Sequence, residues 1–291
     1  MSALWAVPLA RDVVLASGPD TFTYLQGQLS QDVAGLPVGG SAHSLVLSPQ
    51  GHLVALLRVT RTGDEEVALD TDPGAGDAML ARLQRFLLRT RCELQAVDWP
   101  CVAVRGDGAG THDDVPDDEL PSGVWAVVAD TPGVQGYDLL GPGAAAPDGA
   151  APGDPADYEA LRIEQGVPRT GVELTEKTIP AEAGIVDRTS SFTKGCYTGQ
   201  ELVARIDSRG GNVPRRLRGV LVEGDVVPPP GATVVVDDAE VGHVTSAAAS
   251  PRLGAPVALA YVKRKAEVPG PCTLRWDGGQ AVARVTELPL S

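Results

Sequence analysis

From Arg218 onward the chain breaks into short alternating runs: Arg218–Val222, Thr233–Val236, Val241–Ser246, Val257–Val262, Thr273–Trp276 and Ala281–Thr286. Turn formers separate them, notably Pro228-Pro229-Pro230-Gly231, Asp237-Asp238 and Asp277-Gly278-Gly279. Many short strands with regularly placed turns argue a small β-barrel. The pattern starts at Arg215-Arg216, which sets the expected domain boundary: residues 1–214, then a barrel over 215–291.

The part before that boundary reads as mixed α and β. Val13-Val14-Leu15 is a short strand ended by Ser17-Gly18-Pro19, and Asp20 suits the positive end of a following helix. Phe22, Leu25 and Leu29 give that helix an apolar face through Asp32. Gly27 inside it costs about 1 kcal/mol against alanine, which suggests close packing against a backbone or a ligand. Strands follow near His43–Leu47, Leu53–Val59 and Val67–Asp70, then a helix with the stripe Met79, Leu80, Leu83, Phe86 and Leu87, then a strand at Glu93–Val97. This is a split βαβ pattern, ferredoxin-like in character. A second such run takes in Val102–Arg105, Trp125–Ala129, Tyr137–Leu140 and a helix around Tyr158–Gln165. The expected class is α+β, two ferredoxin-like units and a barrel. Two segments, 106–121 with Asp107, Asp113, Asp114, Asp117, Asp118 and Glu119, and the Gly/Ala/Pro-rich 141–157, are too polar or too small to offset ordering and read as mobile surface loops.

The net charge of −14 and pI near 4.7 argue against nucleic acid or a membrane surface as partner. The charge is uneven. No Lys or Arg lies between Arg105 and Arg162, whereas Arg188, Lys194, Arg205, Arg209, Arg215, Arg216 and Arg218 face only Glu201 and Asp207 in their stretch. Such a zone suits a small anionic ligand, and equally a solvated surface with salt bridges. Cys92, Cys101, Cys196 and Cys272 form no CxxC pair, which fits a reducing compartment, and the four histidines show no metal spacing. The N-terminus has no signal-peptide pattern and no apolar run reaches transmembrane length, so the expectation is cytoplasmic.

Chemistry concentrates in residues 191–205, Ser-Phe-Thr-Lys-Gly-Cys-Tyr-Thr-Gly-Gln-Glu-Leu-Val-Ala-Arg. Leu202, Val203 and Ile206 fall on one helical face, which puts Cys196 just ahead of a helix N-terminus, with Lys194 two residues away. Both features favour a thiolate. Gly195 and Gly199 permit sharp turns and close approach of a ligand. Local chemistry alone leaves a second possibility open, a cysteine that is simply a small buried hydrophobe.

Lys194-Gly195-Cys196-Tyr197-Thr198-Gly199-Gln200-Glu201 resembles the signature of the YgfZ family of folate-binding proteins, tRNA-modifying and iron–sulfur maintenance factors related to the aminomethyltransferase T-protein of glycine cleavage. Tyr24–Val33 resembles the family's N-terminal helix motif, and Leu161-Arg162-Ile163-Glu164-Gln165-Gly166 the Arg-x-Glu-x-Gly segment of the T-protein superfamily. The resemblance implies a tetrahydrofolate cofactor or a one-carbon derivative, with iron–sulfur client enzymes or assembly proteins as partners. By position it assigns the pterin ring to Glu164, whose carboxylate can accept two parallel hydrogen bonds. Tyr158 is placed nearby as an aromatic face, and Lys194 and Arg205 meet the anionic tail. Cys196 becomes the reactive group.

In the aminomethyltransferases the strand after a Gly-rich turn carries an acid. The matching stretch, Gly51-His52-Leu53-Val54-Ala55-Leu56-Leu57, has Leu56 there, or Ala55 if the alignment slips. Leucine neither accepts a proton nor steadies a cation. The expectation is therefore a folate-binding factor for iron–sulfur enzymes. A one-carbon transferase or demethylase using another acid, and an interaction module without folate, are the alternatives.

Overall fold

The computed structural model describes residues 4–208 and 210–290. Strand β1 (Trp5–Leu9) leads into β2 (Asp12–Ser17), helix α1 (Thr21–Gln28), β3 (Ser41–Leu47), β4 (Leu53–Arg61), β5 (Glu66–Thr71), α2 (Gly76–Gln84) and β6 (Glu93–Val97). Strands β2 to β6 make an antiparallel sheet in the order β3-β4-β5-β2-β6, with Val14, Leu57, Val59 and Leu69 packing against Leu25 and Leu29 of the α1 segment and Met79 and Leu83 of α2. Helix α1 stops four residues before the expected Asp32, because Leu29 turns extended and bridges Val46.

The second sheet runs β10-β1-β7-β9-β8, with β7 (Cys101–Arg105), β8 (Trp125–Val128), β9 (Gly136–Leu140) and the two-residue β10 (Ala151–Pro152), and leads to α3 (Pro155–Glu164). Sequence reasoning missed β1. Pro8 argues against a strand, yet it lies beyond the two residues that β10 covers, so its missing N–H costs no ladder bond on that side. Segments 106–121 and 141–157 carry local structure and apolar contacts. The first folds into two single 3-10 turns, His112–Asp114 and Asp117–Glu119, the former closed by a capping box between Thr111 and Asp114. Val115, Leu120, Ala144 and Ala150 pack on a cluster with Val102, Val104 and Leu139, so a few apolar residues suffice to close both segments over the sheet.

Two short helices follow, α4 (Val186–Thr189) and α5 (Gln200–Asp207). The strands β11 (Arg215–Val222), β12 (Thr233–Val236), β13 (Ala239–Ser250), β14 (Ala255–Lys263), β15 (Gly270–Trp276) and β16 (Gly279–Thr286) then close a barrel in the order β11-β14-β13-β12-β15-β16. Val220, Val234, Val244, Ala260, Leu274 and Val285 fill it. Among the described residues no helix is long and apolar enough to cross a membrane.

Candidate functional site

A cleft of about 300 Å³ opens where the two sheets meet α3 and α4. Its wall includes Leu56 of β4, His43 of β3, Arg11, Asp72, Asp130, Tyr158 and Glu159 of α3, Arg169, and Arg188 of α4. Leu56 is thus a cleft residue, as the missing-acid argument requires, and its backbone carbonyl is taken by Thr71 Oγ1 at 2.6 Å.

Buried ion pairs run beneath this wall. Arg11 Nε and Arg58 Nε hold the two oxygens of Asp70 at 2.8 and 2.9 Å, Arg58 Nη1 reaches Asp138 at 2.6 Å, and Arg105 Nη2 lies 2.8 Å from Asp138 and 3.0 Å from Asp130. The Tyr158 hydroxyl donates to Asp130, which closes the chain back at the cleft. Burial tends to raise the Asp70 carboxyl, and the Arg58 and Arg11 guanidinium groups outweigh it, holding Asp70 below the usual range. Burial, with the fields of Arg188, Arg58 and Arg11, lowers His43 to about 3, so its imidazole is neutral at physiological pH.

The predicted site residues divide. Tyr158 lines the cleft, with Trp5 edge-on at 6.5 Å between ring centroids and Arg105 5.8 Å from its own, which leaves at most one face for a ligand. Glu164 does not line this cleft; it lies in the wall of a second, wider cavity of about 920 Å³ with Trp5, Asp157, Leu161 and Arg252. It is 2% exposed, accepts from Ser250 Oγ and from Arg252 Nε at 2.6 Å, and its backbone carbonyl accepts from Leu290, so it fastens α3 to the barrel. Helical geometry separates the two: six residues at 3.6 per turn put Glu164 about 120° around α3 from Tyr158. The cleft carboxylate of α3 is Glu159, gripped by Arg162 at 2.8 Å and Arg169 at 2.6 Å. A helical wheel pairing Tyr158 with Arg162 would have favoured Glu159 over Glu164.

Lys194 lies away from this cleft. Its ammonium donates to the carbonyls of Gln26, Leu29 and Gln31 at 2.6, 2.6 and 2.9 Å, at the negative end of α1, and lies outside the cleft lining. Burial lowers it to about 8, while the three carbonyls favour the charged form at neutral pH. The lysine therefore clamps the motif loop to the first unit. Thr198 N adds a bond to the Gly27 carbonyl at 3.0 Å. Any residue could accept that bond, and a Cβ on Gly27 would meet nothing within 4 Å, so the expected close packing is absent there. Gly199 adopts φ 84°, and a Cβ on it would stand 2.5 Å from the Ser48 carbonyl, so this tight turn needs glycine.

Cys196 is exposed on that loop, with Gly195 at φ 97°, and α5 begins four residues later at Gln200. Tyr197 N donates to Gln200 Oε1 at 3.2 Å, and Glu201 is exposed in the first turn. Tyr197 is buried in a cluster with Leu45, Leu53, Ile185, Val203 and Leu56, so the residue after the cysteine packs into the group that forms part of the cleft wall. Arg205 is exposed in the last turn of α5 and does not line the cleft. The basic stretch as a whole does not converge: Arg215 pairs with Glu182, Arg218 with Glu287, and Arg209 lies outside the described residues. Among the described residues of that stretch, Arg188 alone reaches the cleft. Among the described residues no cluster of His, Cys, Asp and Glu forms a metal site.

The model of the glycine cleavage T-protein C-terminal barrel domain matches residues 215–291. An aminomethyltransferase of Streptomyces avermitilis is 29% identical over 290 aligned residues, spanning 88% of this chain and 77% of its own. One from Thermus thermophilus is 29% identical and spans 94% of this chain and 83% of its own. An uncharacterized protein of Haemophilus influenzae is 25% identical, covering 69% of this chain and 67% of its own length. The crystal structure of the glycine cleavage system aminomethyltransferase T from Bartonella henselae superposes with a TM-score of 0.84 at 21% identity, covering 99% of this chain and 86% of that one. The chain has that fold: an α+β T-protein-like module followed by a C-terminal barrel.

Proposed function

We propose that this chain binds a reduced folate, tetrahydrofolate or a one-carbon derivative, in the central cleft and serves iron–sulfur enzymes or their assembly proteins rather than transferring an aminomethyl group. The observation that carries this is Leu56 in the cleft wall. A side chain without a proton or a charge cannot steady the cation that forms when an aminomethyl group moves to a folate nitrogen.

The residues present suit the cofactor. Glu159 supplies a carboxylate that already takes three hydrogen bonds from Arg162 and Arg169, which leaves about one acceptor site for a donor on the pterin. Tyr158 and Leu56 supply apolar surface. The volume lies at the small end of ligand clefts, so a folate would be only partly enclosed. When bound, the folate would supply its one-carbon or redox chemistry. The protein's own part is to hold it, exclude water at Leu56 and present Cys196 on an adjoining loop.

Similarity to aminomethyltransferases over most of the chain supports a second possibility, a transferase that uses Asp130 or Glu159 as its acid. One experiment separates the two. The protein is mixed anaerobically with tetrahydrofolate and an aminomethyl or N-methyl donor. Saturable folate binding without turnover, together with loss of iron–sulfur enzyme rescue in cells carrying Cys196→Ala, supports the factor. Turnover supports the transferase. Absence of any folate binding defeats both.

A further inference from the structure

We infer that the cleft contains a subsite for an oxyanion, a carboxylate by preference, built on Arg188 beside Leu56 and His43. The inference rests on the cleft being the ligand site proposed above, and its test fails separately from that proposal.

Every other charge lining the cleft is compensated. Arg11 pairs with Asp70 and Asp72, Glu159 takes Arg162 and Arg169, Asp72 also accepts from Thr170 N, and Asp130 takes Arg105 and the Tyr158 hydroxyl. Arg188, near the end of α4, makes no hydrogen bond or ion pair among the described residues. Burial disfavours the charged form of this half-buried guanidinium, with Asp130 the acid that opposes the fall, and a ligand oxyanion would favour that form further. The guanidinium presents a planar fork of donors that matches a carboxylate or phosphate edge. Leu56 keeps water from one side, which strengthens the attraction. His43, held neutral, can donate one ring N–H without adding charge.

Arg188 thus offers an anion, not a cation, a place beside Leu56. The oxyanion could come from the glutamate of the folate itself or from a separate carboxylate co-ligand. Anaerobic calorimetry on wild type and Arg188→Gln distinguishes them with three probes: tetrahydrofolate, tetrahydropteroate, which lacks the glutamate, and acetate. A loss of about tenfold or more for tetrahydrofolate, with tetrahydropteroate unchanged, assigns the glutamate. Acetate binding that vanishes in the variant, with both folates unchanged, assigns a separate co-ligand. Equal loss for both folates without an acetate effect, or no change for any probe, overturns the subsite. Acetate binding that needs Arg188 in a protein that binds neither folate sinks the folate proposal and leaves the subsite standing. Arg188→Lys, which keeps the charge and loses the fork, should fall between the two and serves if the glutamine variant does not fold.

Discussion

The Arg58 guanidinium on β4 donates to the Asp138 carboxylate on β9 across 2.6 Å, and this pair ties together the two sheets that border the cleft. Both side chains are buried, and both belong to the chain of alternating charges from Asp72 to Asp130. Breaking one partner leaves an uncompensated buried charge. Asp138→Ala should therefore cost about 3–5 kcal/mol of unfolding free energy, read from urea denaturation. A cost below about 1 kcal/mol would mean that water replaces the pair readily.

Lys194 clamps the motif loop to the end of α1. Lys194→Met should speed amide hydrogen exchange over residues 191–199 and lower stability by about 1–3 kcal/mol, with tetrahydrofolate affinity changed less than about twofold. A large affinity loss with unchanged exchange would return the lysine to the ligand site.

Glu164 holds the barrel against α3 through Ser250 and Arg252. Glu164→Gln removes a charge-assisted pair with a half-exposed arginine, so about 1–2 kcal/mol should be lost. Faster proteolysis in the barrel-facing loops, with folate titration unaltered, is the expected signature.

His43 gives a pH dependence with a definite sign. Its pKa falls from 6.5 unfolded to about 3 folded, so between those values the unfolded chain binds more protons. The stability it contributes is fully present above pH 6.5 and is lost as pH falls toward 3. Because cleft water screens part of the effect, a difference of the order of 2 kcal/mol between pH 7 and pH 4 should vanish in His43→Gln, followed by thermal unfolding. The facing groups are Arg188, Arg58, Arg11 and Asp70, and the Arg58 and Arg11 guanidinium groups hold the Asp70 carboxyl below the usual range.

Periodicity revealed the strands of the barrel and first sheet, because alternating Val, Leu and Ala meet regular turns there. The barrel runs to longer strands than expected, since small residues such as Ala247 and Ala248 on β13 extend pairing without announcing it. The cleft was legible at Leu56 and Tyr158 alone. For Glu164 and Lys194 a matching motif identifies residues and not the partners they face: the first turns to Ser250, and the second to carbonyls some 165 residues earlier in the chain. Arg188, Arg11 and His43 reach one place from three separate segments, and no local spacing encodes that meeting.

The central claim is that the cleft behind Leu56 receives the reduced folate. The most direct test is anaerobic tetrahydrofolate titration, by calorimetry and intrinsic fluorescence, of wild type, Leu56→Trp and Cys196→Ala, each first checked for native circular dichroism. Saturable binding in wild type and Cys196→Ala, lost when the tryptophan fills the cleft, is the predicted result. Wild-type affinity in Leu56→Trp would place the ligand elsewhere and contradict the account.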